Sequence, residues 1–226
     1  MIDGCFRILK KLFRKRSWEL SRYYFSIQYR RGLFVSYEEE YRQLDDFILP
    51  GMLCMDIGAN VGRFTLKMAD LCGPEGHVFS FEPVPEIFDT LSYLVRRHSQ
   101  NNVSLFNTAC GEKTEMVSLE RGVYPLDQKE IIFDTLTASK IDPNGDRKTT
   151  LSLRIDELTV PAPIGLIKID VEGYELKTLQ GLEKIIRRDK PILIVENNDP
   201  RCSTLLKQLG YSIRIGSGSR NIVAIC

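Results

Sequence analysis

The sequence predicts an α/β protein: a largely parallel sheet with helices on both faces, finished at the C-terminus by an antiparallel hairpin. Three observations predict it. The runs "MLCMDI", "IGLIKIDV" and "PILIVEN" are almost wholly apolar, as strands buried on both faces must be. Such runs alternate with stretches of helical periodicity, the signature of strand–helix–strand units. The final pair, "YSIRIG" and "NIVAIC", is separated by only "SGSR", a hairpin spacing.

Element by element, residues 37–48 ("YEEEYRQLDDFI") read as a helix closed by Pro50-Gly51. "MLCMDI" is the first strand, and residues 61–71 form a helix stopped near Gly73-Pro74. "HVFSFEP" is the second strand, followed by a helix over 85–99 with Pro85 in its first turn. "VSLFNTAC" is the third strand. Residues 111–164 break this rhythm: "EMVSLE" and "TTLSLRI" alternate as antiparallel strands do, with "SKIDPNGDRK" as a mobile loop between them. Then "IGLIKIDV", a helix over 174–188, "PILIVEN" and a short helix over 201–209 restore the alternation.

The chain of 226 residues, 43% apolar, suffices for one domain with an appendage. Its net charge of +1 conceals an uneven distribution. Residues 1–31 carry nine Lys/Arg against two acids, a head of about +7 on a body of about −6. We therefore divide the chain into a basic amphipathic segment, 1–33, and a main domain, 34–226, in which the strand-rich insertion 111–164 is the expected acceptor region. Phe6, Leu9, Leu12 and Phe13 recur at helical spacing among lysines and arginines. That pattern suits a helix lying on an anionic membrane surface, or one docked on the protein's own body, and both readings stay open. Six cysteines without a C-x-x-C pair fit a reducing cytosol, and no run approaches the ~20 apolar residues of a membrane span. The expected location is thus cytoplasmic, with peripheral membrane contact through residues 1–31 as the alternative. An acidic body without an aromatic–basic surface motif argues against nucleic acid as partner. Nothing in the sequence fixes an oligomeric state.

In sheets of this kind ligands bind beyond the carboxyl ends of the strands. Those ends carry Asp56 with the loop Gly58, Ala59, Asn60 and Gly62; Glu82 with Pro83; Asn107; Asp170 with Glu172; and Glu196 with Asn197. So many acids would repel a pyrophosphate, and the G-x-G-x-x-G spacing is absent, which disfavours NAD. Glu82, about twenty residues past the loop at the second strand end, stands where a carboxylate accepts from both ribose hydroxyls. Asp56 and Asp170 are expected to face a positive group. Asn60 belongs to the few residue types that tolerate a left-handed turn. S-adenosylmethionine, a cationic nucleoside without phosphate, satisfies all of these.

The stretches "DIGANVGRFTL", "FSFEPVPEIFDTL", "NTACGE", "LRIDEL", "LIKIDVEGYELKTLQGLEKII" and "PILIVEN" resemble those of the FkbM-type methyltransferases, in order, from about Gly51 to the C-terminus. The resemblance implies the seven-stranded, Rossmann-like class I methyltransferase fold, S-adenosylmethionine as cofactor, and O-methylation. It implies cofactor contacts at Asp56, the 58–62 loop, Glu82 and Asp170. The acceptor is expected to be a hydroxyl of a saccharide or small metabolite.

Such a hydroxyl needs a base. His77 and His98 fall away from the carboxyl ends, and Lys168 is expected to pair with a carboxylate. That leaves Glu172, Asp170 and Glu196, with Glu172 the first choice. No metal is expected; the alternative is magnesium held by Asp170, Glu196 and Asn197. Other readings are methylation of nitrogen, or a methyltransferase fold decayed into a binding or scaffold protein.

Overall fold

Apolar strands find their partners in register across a single seven-stranded sheet. The computed structural model describes residues 17–98, 100–120, 140–141, 148–160, 163–216 and 220–226. The helix expected around Phe6 to Phe13, and most of the loop expected over 139–148, lie outside those residues. In chain order the strands are β1 (Leu53–Ile57), β2 (His77–Phe81), β3 (Val103–Phe106), β4 (Ala109–Cys110), β5 (Glu115–Glu120), β6 (Lys140–Ile141), β7 (Lys148–Leu153), β8 (Ile164–Ile169), β9 (Ile192–Glu196), β10 (Ser212–Ile215) and β11 (Asn221–Ile225). The main sheet runs β10-β11-β9-β8-β1-β2-β3. Its pairs from β3 through β9 are parallel, and β11 and β10 add the antiparallel hairpin. Strand order reverses between β1 and β8, so a crevice opens at their carboxyl ends.

Helices α1 (Ser17–Arg30), α2 (Glu39–Phe47), α3 (Arg63–Cys72), α4 (Pro85–Arg97), α5 (Glu175–Gly181), α6 (Glu183–Asp189) and α7 (Pro200–Gln208) cover both faces. The two-residue period of the strands sorts the core. Cys54, Leu166 and Ile194 point to the face of α2 and α3, packing on Tyr41, Leu44, Phe64 and Met68. Their neighbours Met55, Ile167 and Val195 point to the other face, against Leu179, Leu182, Ile186 and Leu206.

Four expectations need correction. "VSLFNTAC" is not one strand: the chain turns at Asn107-Thr108, and Ala109–Cys110 joins a separate four-stranded sheet, β4-β7-β5-β6. The helix over 174–188 is two, broken at Leu182, where Gly181 approaches the carbonyl of Gly111 too closely for any side chain. Lys140–Ile141, expected in a loop, pair with β5. Finally, α3 begins at Arg63 rather than Val61, because Asn60 and Gly62 both hold positive φ. Among the described residues no helix is long and apolar enough to cross a membrane, and Cys54, Cys72, Cys110, Cys202 and Cys226 are free thiols.

Helix α1 docks on α4. Phe25 is buried against Phe34 at 5.3 Å between ring centres. Ser26 bonds His98 at 3.2 Å, and the Tyr29 hydroxyl donates to Asp70 at 2.7 Å. The guanidinium of Arg63, the first residue of α3, lies 5.2 Å above the Phe34 ring, so this N-terminal packing abuts the turn that follows β1.

Candidate active site

The turn after β1 is shaped by close approach. Gly58 has φ +81°, and a Cβ there would stand 1.7 Å from the carbonyl oxygen of Asp170, so only glycine lets β1 and β8 meet. The amides of Gly58 and Ala59 both donate to the carbonyl of Phe81 at 3.0 Å. Asn60 takes the left-handed conformation, φ +52°, and its Oδ1 accepts from the amide of Val61 at 2.7 Å.

Glu82, at the end of β2, closes the turn from above. Its Oε2 accepts from the amide of Asn60 at 2.9 Å and its Oε1 from that of Val84 at 2.8 Å. Each carboxylate oxygen keeps a second acceptor site. Burial pushes the Glu82 carboxyl up to about 7, against the two amides, which lower it. Asn107 donates to the backbone carbonyl of Glu82 at 2.8 Å and so fixes the strand end rather than lining the crevice.

Beneath the turn lies a buried ionic cluster. Lys168 Nζ donates to Asp170 Oδ2 at 3.0 Å and stands 3.9 Å from Asp56 Oδ1. Burial alone would lower the Lys168 pKa, but Asp170 and Asp56 outweigh it and hold the lysine above its ordinary range. Asp56 is itself pushed up by burial, opposed by Lys168 and by the Thr65 hydroxyl, which donates to it at 2.6 Å. The expected pairing of Lys168 with a carboxylate is therefore present. Asp56, expected to face a positive group, has a wholly buried side chain that is tied to α3 through Thr65 and lies beside Lys168 of β8.

The crevice, a cavity of about 60 Å³, is lined among others by Gly58, Asn60, Glu82, Pro83, Asp170 and Glu172. Ala59 and Gly62 shape the turn from outside this lining. Sequence reasoning missed Thr108, Ala109 and Cys110, which form the far wall beyond Phe81 and Val84. They directly follow Asn107, but reading "NTAC" as strand hid the turn that brings them in. Thr108 Oγ1 is buried with no hydrogen-bond partner among the described residues, a polar atom left for a ligand to satisfy. The acidic lip, the orphaned hydroxyl and the glycine-only approach at residue 58 fit a nucleoside bearing positive charge.

Glu172 lines the crevice from a left-handed backbone, φ +53°. Glu196, at the end of β9, stands outside the lining and accepts from Asn198 Nδ2 at 2.6 Å. Burial, with the charges of Asp170, Glu172 and Glu175, pushes its carboxyl up to about 8. Asn197 is exposed and uses its amide N–H on the carbonyl of Arg220 at 2.7 Å. Among the described residues no group of three His, Cys, Asp or Glu side chains is arranged to hold a metal ion.

A family model for the methyltransferase FkbM domain matches residues 56–213. The hexuronic acid methyltransferase AglP of Haloferax volcanii is 29% identical over 143 residues, which cover 58% of this chain and 50% of AglP. The 31-O-demethyl-FK506 methyltransferase FkbM of Streptomyces tacrolimicus is 30% identical over 161 residues, covering 59% of this chain and 60% of that protein. The chain thus spans half to three fifths of these relatives. The crystal structure of methyltransferase FkbM from Methylobacillus flagellatus KT superposes with a TM-score of 0.55 at 18% identity, over 83% of this chain and 50% of that one, which shows a shared fold. With the domain match spanning residues 56–213, more than half of its length, this chain belongs to the FkbM family of S-adenosylmethionine-dependent methyltransferases.

Proposed function

We propose that this chain methylates a hydroxyl of a saccharide or small metabolite, with a carboxylate taking the acceptor's proton. The observation that carries this reading is the meeting of Glu82, Asp170 and Glu172 around one crevice at the switch point. S-adenosylmethionine, when bound, supplies an electrophilic methyl on a positively charged sulfur. Glu82 accepts the ribose hydroxyls through the acceptor sites its two amides leave open, and Thr108 offers its unsatisfied hydroxyl. Asp170, anchored by Lys168, presents negative charge to the cationic ligand.

Glu172 sits on the lining past the end of β8 and accepts the hydroxyl proton as the oxygen turns nucleophilic. The names of the two relatives, a hexuronic acid methyltransferase and a 31-O-demethyl-FK506 methyltransferase, support a saccharide or small metabolite as acceptor, and the second supports an oxygen. The acceptor side falls to the small sheet: its β4 lines the crevice, and Met116 of β5 and Leu151 of β7, paired with each other, stand exposed.

The test is radiolabelled methyl transfer from S-adenosylmethionine to a panel of hexuronic acid glycosides, neutral glycosides and amino sugars, with wild type and Glu172→Gln. Transfer to an oxygen of a glycoside, lowered at least tenfold in the variant while cofactor affinity holds, is the expected result. Transfer only to nitrogen, or an unchanged rate in the variant, overturns it.

A further inference from the structure

Glu175, the first residue of α5, holds a carboxylate that is wholly buried and that the crevice does not touch. Its Oε1 accepts from the amide of Gly173 at 2.9 Å and from that of Val171 at 3.4 Å. Its Oε2 is buried without a hydrogen-bond partner among the described residues. Burying a charge in this way is costly unless the bonds it makes matter. The two anchored amides flank Glu172, and they lie upstream of the Tyr174 cap, outside the helix that Glu175 opens.

The turn they belong to is left-handed at two positions. Glu172 at φ +53° is followed by Gly173 at φ +94°, two successive left-handed residues. A left-handed backbone is unfavourable for a glutamate. At Gly173 itself a Cβ would meet nothing within 4 Å. The Glu175 carboxylate is an acceptor that reaches both flanking amides.

We propose that Glu175 is the positioning residue of the site: by clamping the amides of Val171 and Gly173 it holds Glu172 in the left-handed conformation from which its carboxylate faces the crevice. This rests on the reading of Glu172 as the base. The clamp acts through one carboxylate oxygen, so a neutral side chain with the same acceptor suffices, whereas an apolar one of similar volume does not.

The experiment compares Glu175→Gln and Glu175→Leu in the full chain. It follows amide hydrogen exchange at residues 171–173, the side-chain carboxyl ¹³C resonance of Glu172 (assigned by its loss in Glu172→Gln), and S-adenosylhomocysteine affinity. In Glu175→Leu the amides of Val171 and Gly173 exchange roughly ten to a hundred times faster than wild type, and the Glu172 resonance moves. Amides in α3 and β1 stay protected, and S-adenosylhomocysteine affinity stays within about threefold. Glu175→Gln restores both the slow exchange and the resonance. Wild-type exchange in folded Glu175→Leu, or equal disturbance in both variants, overturns the clamp. Failure of the base reading shows separately, as an unaltered transfer rate in Glu172→Gln with the exchange pattern intact.

Discussion

A carboxylate that already accepts two backbone amides is an economical ribose clamp, because its remaining acceptor sites are pre-aimed. Glu82 has the two amides in place, and in the proposed ribose contact its proton must leave before it binds well. Since its carboxyl is pushed up to about 7, cofactor affinity is expected to weaken below that pH, about tenfold between pH 8 and pH 6. Calorimetry across that range checks it, and Glu82→Gln is expected to abolish most of the pH dependence along with most of the affinity. Gly58 allows a blunter test. Gly58→Ala puts a methyl 1.7 Å from the Asp170 carbonyl oxygen on a backbone at φ +81°. A loss of at least ~2 kcal/mol in urea unfolding, together with loss of S-adenosylhomocysteine binding, is the expected outcome. The placement of these two residues at the crevice was legible in the sequence, because a strand-end acid and a glycine-led turn are local patterns. The burial of Asp56 was not: Thr65 and Lys168 reach it from α3 and β8, and no local spacing announces a partner from another element.

The helices show the same limit one level up. Strands β1, β8 and β9 were readable because a strand buried on both faces is apolar throughout. Docking of the N-terminal segment was one of two open readings, but no helix was expected over Ser17–Arg30, since it buries Ser21 and Ser26 while exposing Tyr23 and Ile27. Small polar residues at a close helix contact erase the apolar stripe on which periodicity depends. The break between α5 and α6 is likewise tertiary: Asp156, from the segment before β8, accepts from the amides of Lys184 at 2.9 Å and Ile185 at 3.1 Å and so caps α6 from outside. Docking of α1 should matter beyond its own stability, because Phe25 and Phe34 support Arg63 at the exit of the turn after β1. Phe25→Ala is expected to cost ~3–5 kcal/mol in urea unfolding. It should also weaken S-adenosylhomocysteine binding several-fold; unaltered affinity in the folded variant would show that α1 and the turn are uncoupled.

Over the whole molecule, acids gathered at one edge of the sheet make stability and ligand binding respond to pH in opposite senses. Asp56, Glu82 and Glu196 all hold their protons more tightly in the fold than carboxyls ordinarily do, chiefly through burial. The folded state then binds more protons than the unfolded chain, so their contribution is full below about 4.5 and is lost as pH rises through the folded values. His77 and His98, both lowered by burial, act the other way below 6.5, which would mask the trend in the wild type alone. Glu82→Gln isolates it. The stability difference between wild type and this variant should fall as pH rises from 4.5 to about 7, with a steepest slope of about 1.4 kcal/mol per pH unit, and level off above. Saturating S-adenosylmethionine reverses the sense, because the cationic ligand binds the ionised acids: its thermal stabilisation of the wild type should grow through the same interval. A stability difference that is flat across that range, or a ligand-induced shift independent of pH, would mean that Glu82 is already ionised in the fold and that the crevice is tuned by other groups.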